Sequence, residues 1–119
     1  SSIDGTTCAD LGAKWMEMTG DSYAPATCGY NYANVEIVKA VLDAAGTLDT
    51  DALVEAATNL DIETVIGQVK YNEQHYSVQP LTTGQWIYDA SSDSWTNEIV
   101  ANTQVPDCPI SADLVILGE

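Results

Sequence analysis

A chain of 119 residues is one domain by length and is large enough to bury a core of its own. Its 3 Lys and Arg residues face 18 Asp and Glu, a formal charge of -15 that runs along the whole chain and argues against nucleic-acid and membrane-surface partners. A hydrophobic fraction of 45% argues against disorder, and no apolar run is long enough to span a bilayer.

Ser1 to Thr7 is polar and reads as extended or frayed; the opening Ser1-Ser2-Ile3-Asp4 is what a processed or excised polypeptide would carry. Ala9 to Thr19 predicts a short helix with Leu11, Trp15 and Met18 on one face, weakened at Gly12 by roughly 1 kcal/mol relative to Ala. Gly20-Asp21 ends it, and Ser22 to Cys28 forms a loop containing Pro25. The stretch from Gly29 then predicts a second helix. Val35, Val38, Val41, Leu42 and Ala45 recur along it at helical spacing, with Asn34, Glu36, Lys39 and Asp43 mostly between them. Gly46 closes this helix, and Asp49 or Thr50 caps a third whose apolar stripe is Leu53, Val54, Ala57 and Leu60.

Gly67 breaks the helical pattern. Beyond it Val69 and Tyr71, Tyr76 and Val78, and Trp86 and Tyr88 alternate with polar neighbours, as strand residues do. Asp89 to Asn97 reads as a polar hairpin connection, and Glu98 to Ala101 as a short strand. Val105 to Pro109 carries two prolines and is not central strand, whereas Leu114 to Leu117 reads as a final strand. The fold class expected is α/β: three helices followed by a mostly β second half.

Catalytic chemistry finds little support. His75 is the only histidine, follows Asn72-Glu73-Gln74 in what reads as a turn, and has no acid or nucleophile placed to pair with it. The paired acids Asp49 with Asp51, and Asp61 with Glu63, read as helix-start residues that meet the macrodipole, not as an acid and base. There is no phosphate-cradling glycine loop and no nucleophile elbow, and no cofactor or metal is expected. Trp15, Trp86 and Trp95 look too scattered for an aromatic strip, with Trp86 expected in the core and Trp95 at the surface. Cys8, Cys28 and Cys108 form no C-x-x-C and fall short of a zinc set. In an oxidising compartment Cys8 with Cys28 is the first choice of disulfide, stapling the first helix to the loop before the second; three buried thiols acting as small apolar groups is the other reading.

The cluster Gly29, Tyr30, Asn31 and Tyr32 opens the second helix, where free backbone donors and a Tyr or Asn suit a small polar ligand. Tyr30 and Asn31 are the candidate ligand contacts. The competing reading is that Asn31 caps the helix and Tyr30 packs on it.

Taken together, Gly29-Tyr30 followed by Ala33, Ala40 and Ala45-Gly46-Thr47-Leu48-Asp49, a helix ending Asn59-Leu60, T-V-x-G-x-V-x-Y from Thr64, V-Q-P-L from Val78 and Gly84-Gln85-Trp86 resemble the last part of type 1 periplasmic substrate-binding proteins. These are the receptors of ABC importers for branched-chain amino acids, amides and urea. The resemblance runs from about Ala9 to Trp86 and fades after it. It implies either a single domain over 1–119 or the C-terminal portion of a longer, two-lobed protein whose cleft closes on its ligand. By the same resemblance the chain is a non-catalytic, extracytoplasmic solute-binding component that is periplasmic or extracellular. Its partners would be an amino acid or small amide, the missing N-terminal portion or another copy, and a membrane permease. In that family the tyrosine after this glycine lies near the cleft and an acid commonly follows it; Tyr30 matches the tyrosine, whereas Asn31 replaces the acid. The alternative is an extracellular structural or assembly subunit that uses a binding-protein-like scaffold.

Overall fold

A computed structural model describes residues 1–116. The chain is mixed α/β, with three helices and two small antiparallel sheets, and divides into two compact units, Ser1–Gln79 and a second beginning at Pro80.

In the first unit, α1 (Cys8–Thr19) starts from a reciprocal cap. Thr7 Oγ1 accepts from the Asp10 amide at 3.1 Å, and the Asp10 carboxylate accepts from the Thr7 amide at 2.9 Å. The segment before it is tied down, not frayed. Ser2 donates through its amide and its hydroxyl to the Glu63 carbonyl, at 3.0 and 2.8 Å. The helices α2 (Thr27–Ala45) and α3 (Thr50–Thr58) follow. The left-handed Gly46 closes α2, its amide reaching the Leu42 carbonyl, and Asp49 caps α3 by accepting from the Ala52 amide at 3.1 Å.

The strands β1 (Asp61–Thr64) and β2 (Gly67–Lys70) form a tight hairpin with Ile62 opposite Val69 and Thr64 opposite Gly67. Asp61 and Glu63 are therefore strand residues and not the helix start expected of them. Their neighbours decide it: Lys70 Nζ and Gln68 Nε2 both donate to the Asp61 carboxylate at 2.7 Å across the ladder. The expected strand through Tyr76 and Val78 does not form. Asn72 instead gathers the chain into a loop, its side-chain oxygen accepting from the amides of Gln74 and Tyr76.

The helix α2 packs against α1, α3 and β1, and Ala33, Leu60 and Val69 are the buried apolar residues of this unit. The buried face of α2 is Gly29, Ala33 and Glu36, so the stripe read from the sequence lies on the other side. Val35 is 68% exposed, and Val38 and Leu42 are exposed with it. At Gly29 the partners come very close: a Cβ there would lie 3.1 Å from Cys8 Sγ and 3.4 Å from Ile66 Cγ2. The disulfide expected between Cys8 and Cys28 is not formed, and all three cysteines are free thiols. Cys8 Sγ donates to the Val65 carbonyl at 3.2 Å, so the start of α1 meets α2 and the β1–β2 turn through packing and a thiol hydrogen bond.

The second unit is a hairpin of β3 (Thr83–Asp89) and β4 (Ser94–Ala101), with Trp86 opposite Asn97, Tyr88 opposite Trp95 and a register shift between Thr83 and Gly84. The described part of the expected final strand, Leu114–Ile116, pairs with no strand, and Leu117 lies outside the described residues. The Gln85 carboxamide holds this segment in place of a ladder, donating to the Val115 carbonyl at 2.7 Å and accepting from its amide at 2.8 Å. Val100 is the buried apolar residue here, and no large side chain is fully buried among the described residues.

Candidate functional site

The start of α2 places Tyr30 and Asn31 differently from the expectation. The helix begins at Thr27, two residues before Gly29, after Ala26, which provides no side-chain cap. Asn31 thus lies inside the helix and does not cap it, and the free N-terminal donors belong to the turn before Tyr30. Both residues are open to solvent, Tyr30 at 44% exposure. Asn31, Val35, Val38 and Leu42 follow one another at i, i+4, i+7 and i+11, so they form a single exposed stripe, with Tyr30 exposed roughly a quarter-turn or more around the helix from it. A polar head above an apolar run is the geometry of a surface made to be covered.

Beneath that surface, α2 is fixed by two polar ties. Tyr32 donates its hydroxyl to Asp4 at 2.5 Å, which together with Thr6 holds the Asp4 carboxyl well below the usual carboxylate range and pushes the Tyr32 phenol up. Glu36, 4% exposed, accepts from the Val65 amide at 2.9 Å through Oε2, while its Oε1 has no partner among the described residues.

A cavity of 290 Å³ lies between α2, α3 and the loop after β2, lined by Ile37, Val54, Ala57, Thr58, Tyr71 and His75. Its walls are apolar with one imidazole and one phenol, and its size is at the lower edge of small-ligand sites. His75 is exposed in its turn, as its sequence setting predicts, with a left-handed φ of 63°. A second hollow of 470 Å³ between α2 and α3 is walled mainly by Ala40, Ala44, Ala45, Ala52 and Ala56. Neither hollow is lined by Tyr30 or Asn31.

The second unit carries a feature that the sequence reading missed. Trp86 is not core. It is 64% exposed, and the hairpin register puts it on one face with Tyr88 and Trp95, which is 63% exposed as expected. Tyr88 and Trp95 form a tilted aromatic pair with ring centroids 5.3 Å apart and planes 52° apart. The signal was present in the alternation of Trp86 and Tyr88. Folding the chain about Ala90–Asp93 sets Trp95 opposite Tyr88.

The turn between these strands is organised by Asp89, whose carboxylate accepts from the hydroxyls of Ser91 and Ser92, each at 2.7 Å. Those two bonds, with the Ser91 amide, hold its pKa down at about 2. A depressed carboxyl stabilises the hairpin above its unfolded value near 4, and that support disappears as the pH falls from about 4 through about 2. Following the Asp89 carboxyl by NMR should give a midpoint near 2, moving up toward about 4 when Ser91 and Ser92 are both replaced by alanine. An unshifted midpoint in the double variant would mean that the serines do not hold the carboxylate.

Comparison with protein-family models, with curated proteins and with solved structures finds no match to this chain.

Proposed function

We propose that the chain is part of a non-catalytic, extracytoplasmic solute-binding protein for amino acids or small amides, the component of an ABC importer that hands its ligand to a membrane permease. The observation that carries this reading is the open stripe of α2, Asn31, Val35, Val38 and Leu42, with Tyr30 also open in the same turn as Asn31. In a two-lobed binding protein of the type 1 class, the stripe would be covered by the rest of the protein, and Tyr30 and Asn31 would stand at the cleft. Tyr30 would pack on the apolar part of the ligand and the Asn31 carboxamide would bond its polar end. Closure of the lobes around the ligand would then generate the form the permease recognises.

Calorimetry of the chain with a panel of amino acids and amides tests the reading. The ligand that gives heat should bind the Tyr30→Ala variant about 1–3 kcal/mol more weakly, with helicity unchanged. If no solute gives heat and Tyr30→Ala unfolds the chain, Tyr30 is structural and the solute-binding reading is lost.

The same stripe supports a second reading, an extracellular structural or assembly subunit. Three large apolar side chains at helical spacing on an open face suit a permanent contact with another copy as well as with a missing lobe. A chain that is calorimetrically silent but self-associates through Val35, Val38 and Leu42 would belong to that class.

A further inference from the structure

The β3–β4 hairpin buries one face and opens the other. Gln85 and Ile87 are half-buried, and Gln85 holds the segment at Val115, whereas Trp86, Tyr88 and Trp95 point to the opposite side and are open. Three aromatic rings in one patch are rarely left to water without a use. The patch is held in shape from below and from the side. Asp93, itself in the left-handed region at φ 51°, accepts the Tyr88 hydroxyl at 2.7 Å and fixes that ring. The Asn97 carboxamide lies over Gly84, where a Cβ would come within 2.5 Å of its Oδ1, so the floor beside Trp86 is flat and polar.

Charge selects among the partners that an aromatic surface takes. Lys14, Lys39 and Lys70 all precede the hairpin, and from Pro80 onward the chain has no Lys, Arg or His. Asp93, which holds the Tyr88 hydroxyl, is the carboxylate beside the rings, while Asp89 and Glu98 alternate onto the face of Gln85 and Ile87 and add to the negative charge of the unit. The negative faces of Trp and Tyr rings attract cations, and nothing positive within the unit competes for them. A second copy of this hairpin would bring no cation to the rings. The face is also an open ladder and not an enclosure, which fits an extended polypeptide better than a small ion.

We propose that Trp86, Tyr88 and Trp95 form a docking surface for an Arg- or Lys-bearing polypeptide segment, whose cationic side chains stack on the rings. Trp is the side chain on which such contacts are strongest, and Arg the more frequent partner.

The test is a calorimetric titration of the whole chain with an end-blocked peptide of four arginines separated by glycines, at physiological ionic strength. Trp86→Ala and Trp95→Ala leave the net charge unchanged, so bulk attraction is the same in every variant. Each should weaken the peptide at least tenfold, while Trp15→Ala, in the first unit, should not. If alanine loosens the hairpin, Trp86→Thr, with a β-branched side chain suited to a strand, repeats the test. Equal binding by wild type and both tryptophan variants would mean that only net charge attracts the peptide. Binding of cellohexaose but not of the peptide would make the face a glycan platform. A wild-type dimer that either alanine variant dissolves would mean that a second copy covers it. Any of these three results overturns the proposal.

Discussion

Replacing Leu60 by alanine should lower the urea midpoint of the chain by on the order of 2 M, the larger of the two stability effects expected here. Leu60 follows α3 directly, its amide bonded to the Ala57 carbonyl at 3.2 Å, and its side chain is buried where the chain turns into β1. It is the largest of the buried apolar residues, the others being Ala33, Val69 and Val100. Its side chain also borders the alanine-walled hollow between α2 and α3, so truncation enlarges an existing gap that the small neighbours cannot close. Leu-to-Ala changes at buried positions cost about 2–5 kcal/mol, and a unit of this size has roughly 4–12 kcal/mol in all. Helical circular dichroism at 25 °C should therefore fall as well. Val54→Ala, on α3 but exposed, is the control and should stay within about 0.5 kcal/mol of wild type. A Leu60→Ala midpoint indistinguishable from that control would remove Leu60 from the core.

That sensitivity follows from how little this chain buries, and composition gave no warning of it. A hydrophobic fraction of 45% implies a core, yet Val35, Val38, Leu48, Val54 and Val78 are all exposed. What was legible were the places where backbone chemistry decides locally: Gly20 and Gly46 as helix ends, Asp49 as a cap, and Trp86 and Tyr88 as strand residues. Choices between two faces were not legible. Helical spacing in α2 is correct for the valines, but the same helix also offers Gly29, Ala33 and Glu36, and only the fold shows that Cys8 and Ile66 approach on that side. Strand β1 escaped notice because its four residues, Asp61 to Thr64, carry two acids and resemble a helix start; the donors on Lys70 and Gln68 become visible only in register. The tryptophans needed the same register. Eight residues separate Trp86 from Trp95 in sequence, and the hairpin returns them diagonally onto one face. Tyr30 and Asn31 were found as neighbours on an open helix surface, but their surroundings within this chain supply no cavity wall.

Glu36 separates two accounts of the inner face of α2. Its Oε2 accepts the Val65 amide at the β1–β2 turn, a turn further held by the Thr64 hydroxyl, which donates to the Gly67 carbonyl at 2.7 Å. Glu36→Ala removes that acceptor, leaves the Val65 amide without a partner in a half-buried place, and opens a gap beside Ala33 and Gly29. A loss of about 1–3 kcal/mol is expected, together with loss of hydrogen-exchange protection at the Val65 amide. Glu36→Gln keeps an oxygen for the amide and removes a buried carboxylate that makes no ion pair among the described residues, where the pairs are Lys39 with Asp43 and Lys70 with Asp61. The glutamine variant should therefore be as stable as wild type or more so, with protection at Val65 retained. The comparison has a functional edge because Oε1 has no partner among the described residues. If glutamine proves as damaging as alanine, the site requires the carboxylate, because a carboxamide NH2 in the place of Oε1 has no acceptor among the described residues. If glutamine is neutral or stabilising, Glu36 is a hydrogen-bond acceptor that pins the β1–β2 turn to α2, and the ligand-facing chemistry of this helix belongs to its open side.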